Sequence, residues 1–194
     1  MKIHLVYNDP FILGFDQILA SISEMYELKI ISMGELYRAC LNSENEEADQ
    51  LRLHLISGKV IPDSIPNNLL ISKLKENSNS IIRNYPHSLA QWSLLKSSFV
   101  GLKVEVEKLW YFQSINVIEN IYKIKKYKLM AERHDPTFSH IMERTQKIKC
   151  INLECLKFLN YPEKLELREV EAHGIEGVNS SKSVSDAIRH ISTI

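Results

Sequence analysis

The first 22 residues place an apolar strand, a loop and an apolar helix in succession, and this order constrains the fold more than any other feature. The strand spans residues 3–6, and the loop that follows carries Pro10 and Gly14. Apolar residues then return with helical spacing at 18–22. A helix that follows a buried strand packs back onto the sheet of that strand, so this segment predicts the first βα unit of an α/β domain.

The same alternation continues along the chain. Further strands are predicted at 28–31, 80–84, 104–112 and 164–170. Helical patterns are predicted at 34–43, 45–57, 64–77, 88–96, 115–124 and 136–159, and in the last segment after Gly177. Charges alternate with Leu165 and Leu167 in the last strand, which indicates an edge position. Strands that alternate with helices predict a parallel sheet with helices on both faces.

The loop after the first strand is framed like a phosphate-binding P-loop but lacks the residues of one. Against the Walker A pattern G-x-x-x-x-G-K-[ST], the window 9–16 matches only at Gly14. Asp9 takes the place of the first glycine, Phe15 that of the lysine, and Asp16 that of the hydroxyl residue. Two unit charges about 4 Å apart interact by roughly 4 kcal/mol at an effective dielectric of 20, so a carboxylate here repels phosphate. We favour Asp9 or Asp16 as a cap of the first helix over a catalytic role for either.

Composition argues against several classes of function. The chain has 24 Lys+Arg and 24 Asp+Glu, a net charge of +0, so no overall field attracts nucleic acid or an anionic membrane. Cys40, Cys150 and Cys155 lack the spacing of a zinc or redox site, which indicates free thiols. The early apolar run is broken at 8–10, so it predicts neither a signal peptide nor a membrane span. We therefore expect a cytoplasmic protein.

Several short motifs occur in a characteristic order. Residues 32–38 are SMGELYR, residues 58–63 are GKVIPD, and residues 81–91 are IIRNYPHSLAQ. They resemble three segments of adenylate kinase and the wider nucleoside monophosphate kinase family: S-T-G-D-hydrophobic-hydrophobic-R, G-K-hydrophobic-hydrophobic-[PT]-D, and apolar-apolar-D-G-F-P-R-[ST]-x-x-Q. Arg133 and Arg144 are placed like that family's phosphate-clamping pair, and residues 175–177 resemble its hydrophobic-D-G.

The resemblance implies a fold and a division of the chain. The fold would be a five-stranded parallel P-loop sheet with helices on both faces. Residues 1–31 and 78–194 would form the core, and 32–77 a helical insertion that binds the monophosphate. Only residues around 128–135 would be left for a lid, which would be short.

The resemblance also implies an acceptor site for AMP. Arg38 would bind its phosphate, Gln91 would hydrogen-bond the adenine edge, and the backbone of Val60 and Ile61 would hold the base. His87 replaces an arginine that binds the monophosphate in the family. An imidazole is mostly neutral at neutral pH unless its surroundings raise its pKa.

The departures from the family fall on the phosphate-donor side. Arg83 stands where the family has an acid that helps to hold Mg²⁺ through water, and Asn84 where it has a glycine. Gly14 is what remains of the P-loop. Catalysis of phosphoryl transfer is mainly positioning and charge neutralisation, so losing the lysine, a glycine and the acid together should remove it.

Three functions stay open. The leading hypothesis is a catalytically degenerate pseudoenzyme that acts as a binding or structural component, with a residual site for AMP or another nucleotide. In the first alternative the chain is an active kinase, in which Arg83, Arg133 and Arg144 supply the charge and Mg²⁺ accompanies ATP. In the second it is a scaffold for a protein partner without nucleotide binding. The arginines also have a purely structural interpretation, as ion-pair partners of Asp9, Asp16, Glu35 or Asp63.

Overall fold

The computed structural model describes residues 1–9, 12, 15–76, 79–114, 138–159 and 165–170. Within these ranges the chain forms five strands and six helices. In chain order they are β1 (Lys2–Asn8), α1 (Phe15–Met25), β2 (Lys29–Ser32), α2 (Met33–Leu41), α3 (Glu46–Ser57), α4 (Ser64–Glu76), β3 (Ser80–Arg83), α5 (Leu89–Leu102), β4 (Glu105–Ser114), α6 (Phe138–Leu159) and β5 (Leu165–Val170).

The strands form one parallel sheet in the order β2-β3-β1-β4-β5. The predicted α/β class with a five-stranded parallel sheet is confirmed, and β5 lies at an edge as its alternating charges indicated. β1 is central, and the chain builds β2 and β3 on one side of it before crossing to β4 on the other. In open α/β sheets ligands bind beyond the carboxyl ends of the strands, where such a reversal occurs. The end of β1 is therefore the expected position of a site.

The apolar sequence of β1 is explained by helices on both of its faces. Ile3, Leu5 and Tyr7 belong to a core that also contains buried residues of α4, α5 and α6. Val6 points to the opposite face, where α1 contributes Ile18, Leu19 and Ile22. Burial of one such side chain stabilises the fold by about 1.5–3 kcal/mol relative to exposure.

The helices α2, α3 and α4 enclose a small core of their own, formed by Cys40, Ala48, Leu51 and Ile65. α4 also contributes Leu70 and Leu74 to the main core. α4 therefore anchors this helical group to the sheet, and the division into a core and an insertion at 32–77 stays a prediction.

One predicted boundary was wrong. Helix α5 ends at Leu102 rather than at 96, because Phe99 packs in the main core and keeps the last turns in place. Lys103 ends the helix in the left-handed conformation with a φ of 52°. The helix predicted at 115–124, the short lid and the last helix lie outside the described residues. None of the described helices is long and apolar enough to cross a membrane.

Candidate functional site

Asparagines join the carboxyl ends of β1 and β3. The backbone N–H of Asn8 donates to Oδ1 of Asn84 at 3.2 Å, and Nδ2 of Asn84 donates to Oδ1 of Asn8 at 3.0 Å. Nδ2 of Asn152, buried on α6, donates to the carbonyl of Asn8 at 3.0 Å. Asn84 has a positive φ of 51°, a region that asparagine tolerates better than most residues. Asn84 can therefore adopt the conformation of the glycine that the resemblance implies at this position, and it also ties the two strands together.

Asp9 is a buried carboxylate at the end of β1. It is 1% exposed, and its Oδ1 accepts a hydrogen bond from the hydroxyl of Tyr111 at 2.6 Å. Its backbone N–H donates to the carbonyl of Phe112 at 2.9 Å. These contacts tie Asp9 to β4, whereas the sequence suggested a cap of α1.

Phe15, at the position of the Walker A lysine, is a core residue. Its ring is 4% exposed and meets the ring of Phe112 edge-on at a centroid distance of 5.4 Å. The guanidinium of Arg83 lies over the same ring, 4.8 Å from its centroid. The start of α1 therefore presents an aromatic side chain to the core where a P-loop presents an ammonium group to phosphate.

Arg83 forms an ion pair with Asp16. Its Nη1 donates to Oδ1 of Asp16 at 2.7 Å, with the arginine side chain 29% and the aspartate side chain 83% exposed. Asp16 lies in the first turn of α1, where a carboxylate also interacts favourably with the helix dipole. The charge of Arg83 is thus neutralised by a carboxylate of the chain itself.

The described donor residues do not fit the Mg²⁺ that accompanies ATP in kinases. Mg²⁺ prefers oxygen ligands in an octahedral arrangement. Asp9 accepts a hydrogen bond from Tyr111, Asp16 pairs with Arg83, and the guanidinium of Arg83 stands where the resemblance implies an acid. In the described part of the chain, no three His, Cys, Asp or Glu side chains lie close enough to hold a metal.

The loop between β3 and α5 is fixed by two buried donors. The hydroxyl of Tyr7 and the thiol of Cys155 both donate to the carbonyl of Pro86, at 2.7 and 3.3 Å. Burial raises the pKa of Tyr7 well above its usual range and that of Cys155 to about 12. Both groups therefore keep their protons at neutral pH, and the position of the next residue, His87, is set by the core.

Gln91 connects this loop to the turn before α4. Its Oε1 accepts from the backbone N–H of His87 at 2.7 Å, and its Nε2 donates to Oδ1 of Asp63 at 2.8 Å. A backbone N–H can only donate, so this contact fixes which end of the amide carries the oxygen. The second hydrogen of Nε2 has no acceptor among the described residues, which leaves one donor for a ligand.

The other predicted acceptor residues are exposed or partly exposed. Arg38 lies on the surface of α2. Within the described ranges it makes no ion pair, either with the expected partners Glu35 and Asp63 or with another carboxylate. His87 is exposed, yet the protein around its ring removes enough water to lower the pKa of the imidazole. Val60 is 89% exposed, and Ile61 packs against the small core formed by α2, α3 and α4.

The structure therefore brings the predicted residues into two groups, Arg83 with Asp16 and His87 with Gln91. Arg144 lies within α6, while Gly14 and Arg133 fall outside the described residues. The sequence analysis missed the roles of Tyr111 and Asn152. A signal existed for Asn152, because it shares one face of α6 with the buried Cys155 and Leu159 at i+3 and i+7.

Comparisons with known proteins agree with the motifs. No model of a known protein family matches the chain. An adenylate kinase of Mesomycoplasma hyopneumoniae strain J is 25% identical over 162 residues, which cover 81% of this chain and 72% of that protein. An adenylate kinase of Mycoplasma mobile is 25% identical over 189 residues, 84% of each chain. An adenylate kinase of Thermococcus onnurineus is 31% identical over 104 residues, 52% of this chain and about half (46%) of that protein. These matches confirm the resemblance to adenylate kinases.

Proposed function

We propose that this adenylate-kinase-like chain transfers no phosphoryl groups and works as a binding protein, with AMP as the ligand of its acceptor side. The observation that carries the proposal is the ion pair between Arg83 and Asp16 at 2.7 Å, beside the buried Phe15. The relatives are named for a reaction that needs ATP and AMP, so the two sides of the site can be considered separately.

On the donor side, the start of α1 lacks the positive charge that a triphosphate needs. Asp16 and Arg83 neutralise each other across 2.7 Å, so the pair offers a bound phosphate no net positive charge. Cations and a metal ion must stabilise the charge that develops in phosphoryl transfer, and the described donor residues offer neither a lysine nor a set of metal ligands. ATP binding and catalysis should therefore both be lost.

On the acceptor side, two groups suited to AMP are kept. Arg38 is exposed and makes no ion pair within the described ranges, so its guanidinium can bind a phosphate. Gln91 is held at its oxygen by His87 and still offers a hydrogen of Nε2 to an acceptor on the base. His87 adds no charge, because desolvation lowers its pKa. With one cation instead of two, we expect AMP binding to be weak.

Calorimetric titration with AMP and with MgATP tests both parts. We expect AMP to bind and MgATP not to bind, and Arg38→Ala to abolish the AMP signal while Lys75→Ala, on the exposed side of α4, leaves it unchanged. A coupled assay for phosphotransfer from ATP to AMP should stay at background. Transfer above background that is lost in Arg133→Ala would show an active kinase. Absence of binding by either nucleotide would favour the scaffold alternative.

Two further features accompany this proposal. The helices α2 to α4 would act as the monophosphate-binding insertion, held to the core by the contact between Asp63 and Gln91. The cytoplasm is the proposed compartment, because the thiols of Cys40, Cys150 and Cys155 are free.

A further inference from the structure

Helix α5 has an unusual outer surface for a helix that packs on a sheet. Its buried face carries Trp92, Leu95 and Phe99, as expected. Its exposed residues include Leu89 and Val100, the latter 82% exposed, and Lys96 is the one charged residue between 89 and 102. A surface helix normally places charged and polar residues opposite its apolar stripe. The exposed residues of α5 are Leu, Ala, Val, Gly and Ser with a single Lys, and an outer face so poor in charge is typical of a contact surface.

A cavity of about 360 Å³ opens beside the last turns of this helix. Trp92, Phe99 and Val106 line it, and these three side chains are almost fully buried, so they form its base. The cavity is open to solvent, as is expected of a surface groove rather than an enclosed ligand pocket. The cavity can therefore accept one aliphatic or aromatic side chain and neighbouring atoms.

Two lysines stand among the residues that line the cavity. The ammonium of Lys96 lies 5.8 Å from the centroid of the Trp92 ring, and Lys103 follows at the helix end. The described lining contains one carboxylate, that of Glu105, and its charge also acts on Lys2, whose pKa it helps to raise. The cavity thus combines an apolar base with an excess of positive charge, in a chain whose net charge is +0.

We propose that this α5 groove, formed by Trp92, Lys96, Phe99, Val100, Lys103 and Val106, binds an acidic, apolar peptide segment of a partner protein. The segment would place an apolar side chain on Trp92 and Phe99 and carboxylates beside Lys96 and Lys103. A peptide fits better than a small molecule because a second exposed apolar residue, Leu89, lies on the same face of α5 three turns before Val100. At 1.5 Å per residue this stretch measures about 17 Å, longer than a small ligand.

The groove is separate from the candidate nucleotide site. It lies at Val104–Val106, the amino end of β4, whereas Asp9, Arg83 and Gln91 lie at the carboxyl edge of the sheet. The proposal therefore does not depend on whether AMP binds. Helix α5 spans both places, since Gln91 is in its first turn and the groove follows its last turns.

The test is selection of short random peptides displayed on phage against the wild-type protein, followed by binding of the labelled recovered peptides measured by fluorescence polarisation. We expect recovered peptides to carry Asp or Glu beside Leu, Phe or Trp. Binding should weaken about tenfold or more in the double variant K96E/K103E and in Val100→Asp, and it should also weaken with salt. Lys75→Glu, the matched charge reversal on α4, should bind as the wild type does.

Amide chemical shifts of the wild-type protein give a readout that needs no variant, and they should change at α5 and the start of β4 when the recovered peptide is added. The proposal is overturned if recovered peptides lack carboxylates, if no peptide is enriched, or if the shifts change elsewhere. It is also overturned if the wild-type protein dimerises in solution and Val100→Asp alone makes it monomeric, because the groove would then bind a second copy of the chain.

Discussion

Placing a lysine at position 15 is the sharpest test of the role that the structure gives to Phe15. In Phe15→Lys the residue required by the phosphate-binding motif returns at its own position. If Phe15 were merely a neutral replacement on the surface, the substitution would be tolerated and would help to recover phosphate binding. The structure predicts instead that it destabilises the protein, because Phe15 has become part of the core.

The magnitude follows from the surroundings of the ring. Truncating a buried phenylalanine usually costs about 3–5 kcal/mol, and an edge-on aromatic contact like that with Phe112 accounts for about 0.5–1.5 kcal/mol. The stem of a lysine can recover some apolar contact by extending its ammonium towards solvent. Here the guanidinium of Arg83 covers the ring at 4.8 Å and obstructs that path, and the carboxylate of Asp16 is already paired with it. We expect a net loss of about 3–5 kcal/mol in the free energy of unfolding.

Urea unfolding followed by circular dichroism measures this loss. Phe15→Leu, which keeps an apolar side chain of similar volume, should cost less than about 1.5 kcal/mol. Adding Arg83→Met to Phe15→Lys should recover part of the stability, because it frees Asp16 to pair with the new ammonium group. A Phe15→Lys variant as stable as the wild type, or one that gains MgATP binding, would refute the assignment of Phe15 to the core.

Three further predictions concern single contacts. Asp16→Asn and Asp49→Asn each replace a first-turn aspartate whose carboxylate lies 2.7 Å from an arginine. Each should lower the free energy of unfolding by about 0.5–1.5 kcal/mol in urea titrations, and by less at high salt. A loss that salt leaves unchanged would contradict this. Asp63→Ala removes the hydrogen bond to Gln91 and should lower the free energy of unfolding by about 1–2 kcal/mol, whereas Asp63→Asn keeps an acceptor oxygen and should lower it by less than half as much. Equal losses in the same titrations would show that this hydrogen bond does not contribute. Desolvation lowers the pKa of His87 below 6.5, so the folded protein binds fewer protons than the unfolded chain, and its stability falls as the pH drops through 6.5 and below. NMR titration of the imidazole should give a pKa below 6.5, and a higher value would contradict a neutral His87.

Much of the fold could be predicted from the sequence because its signals are local. Each of these signals indicates which sides of one element are covered by the rest of the protein. They are the apolar run of β1, the helical spacing in α1 and the alternating charges of β5. The kinase resemblance was local in the same sense, since it rested on short motifs in order. The end of α5 was misplaced because Phe99 holds the last turns through contacts with the core, which leave no mark on neighbouring residues.

The candidate site shows the opposite case. From the sequence, Arg83 had two carboxylates as equivalent partners, and Asp9 was one of two candidate caps of the first helix. The resemblance made Gln91 a base-binding residue. The structure pairs Arg83 with Asp16 across 67 positions, Gln91 with Asp63 across 28, and Asp9 with Tyr111 across 102. None of these partners follows from spacing.

The sequence by itself determined the order of strands and helices, the family resemblance and the absence of a lysine at position 15, because periodicity and motifs are properties of neighbouring residues. The tertiary structure decided which charges are neutralised, which amide hydrogen stays available and that Phe15 is buried. The physical reason is that a parallel sheet aligns the carboxyl ends of strands far apart in the chain, so the partners at that edge are set by strand order and register.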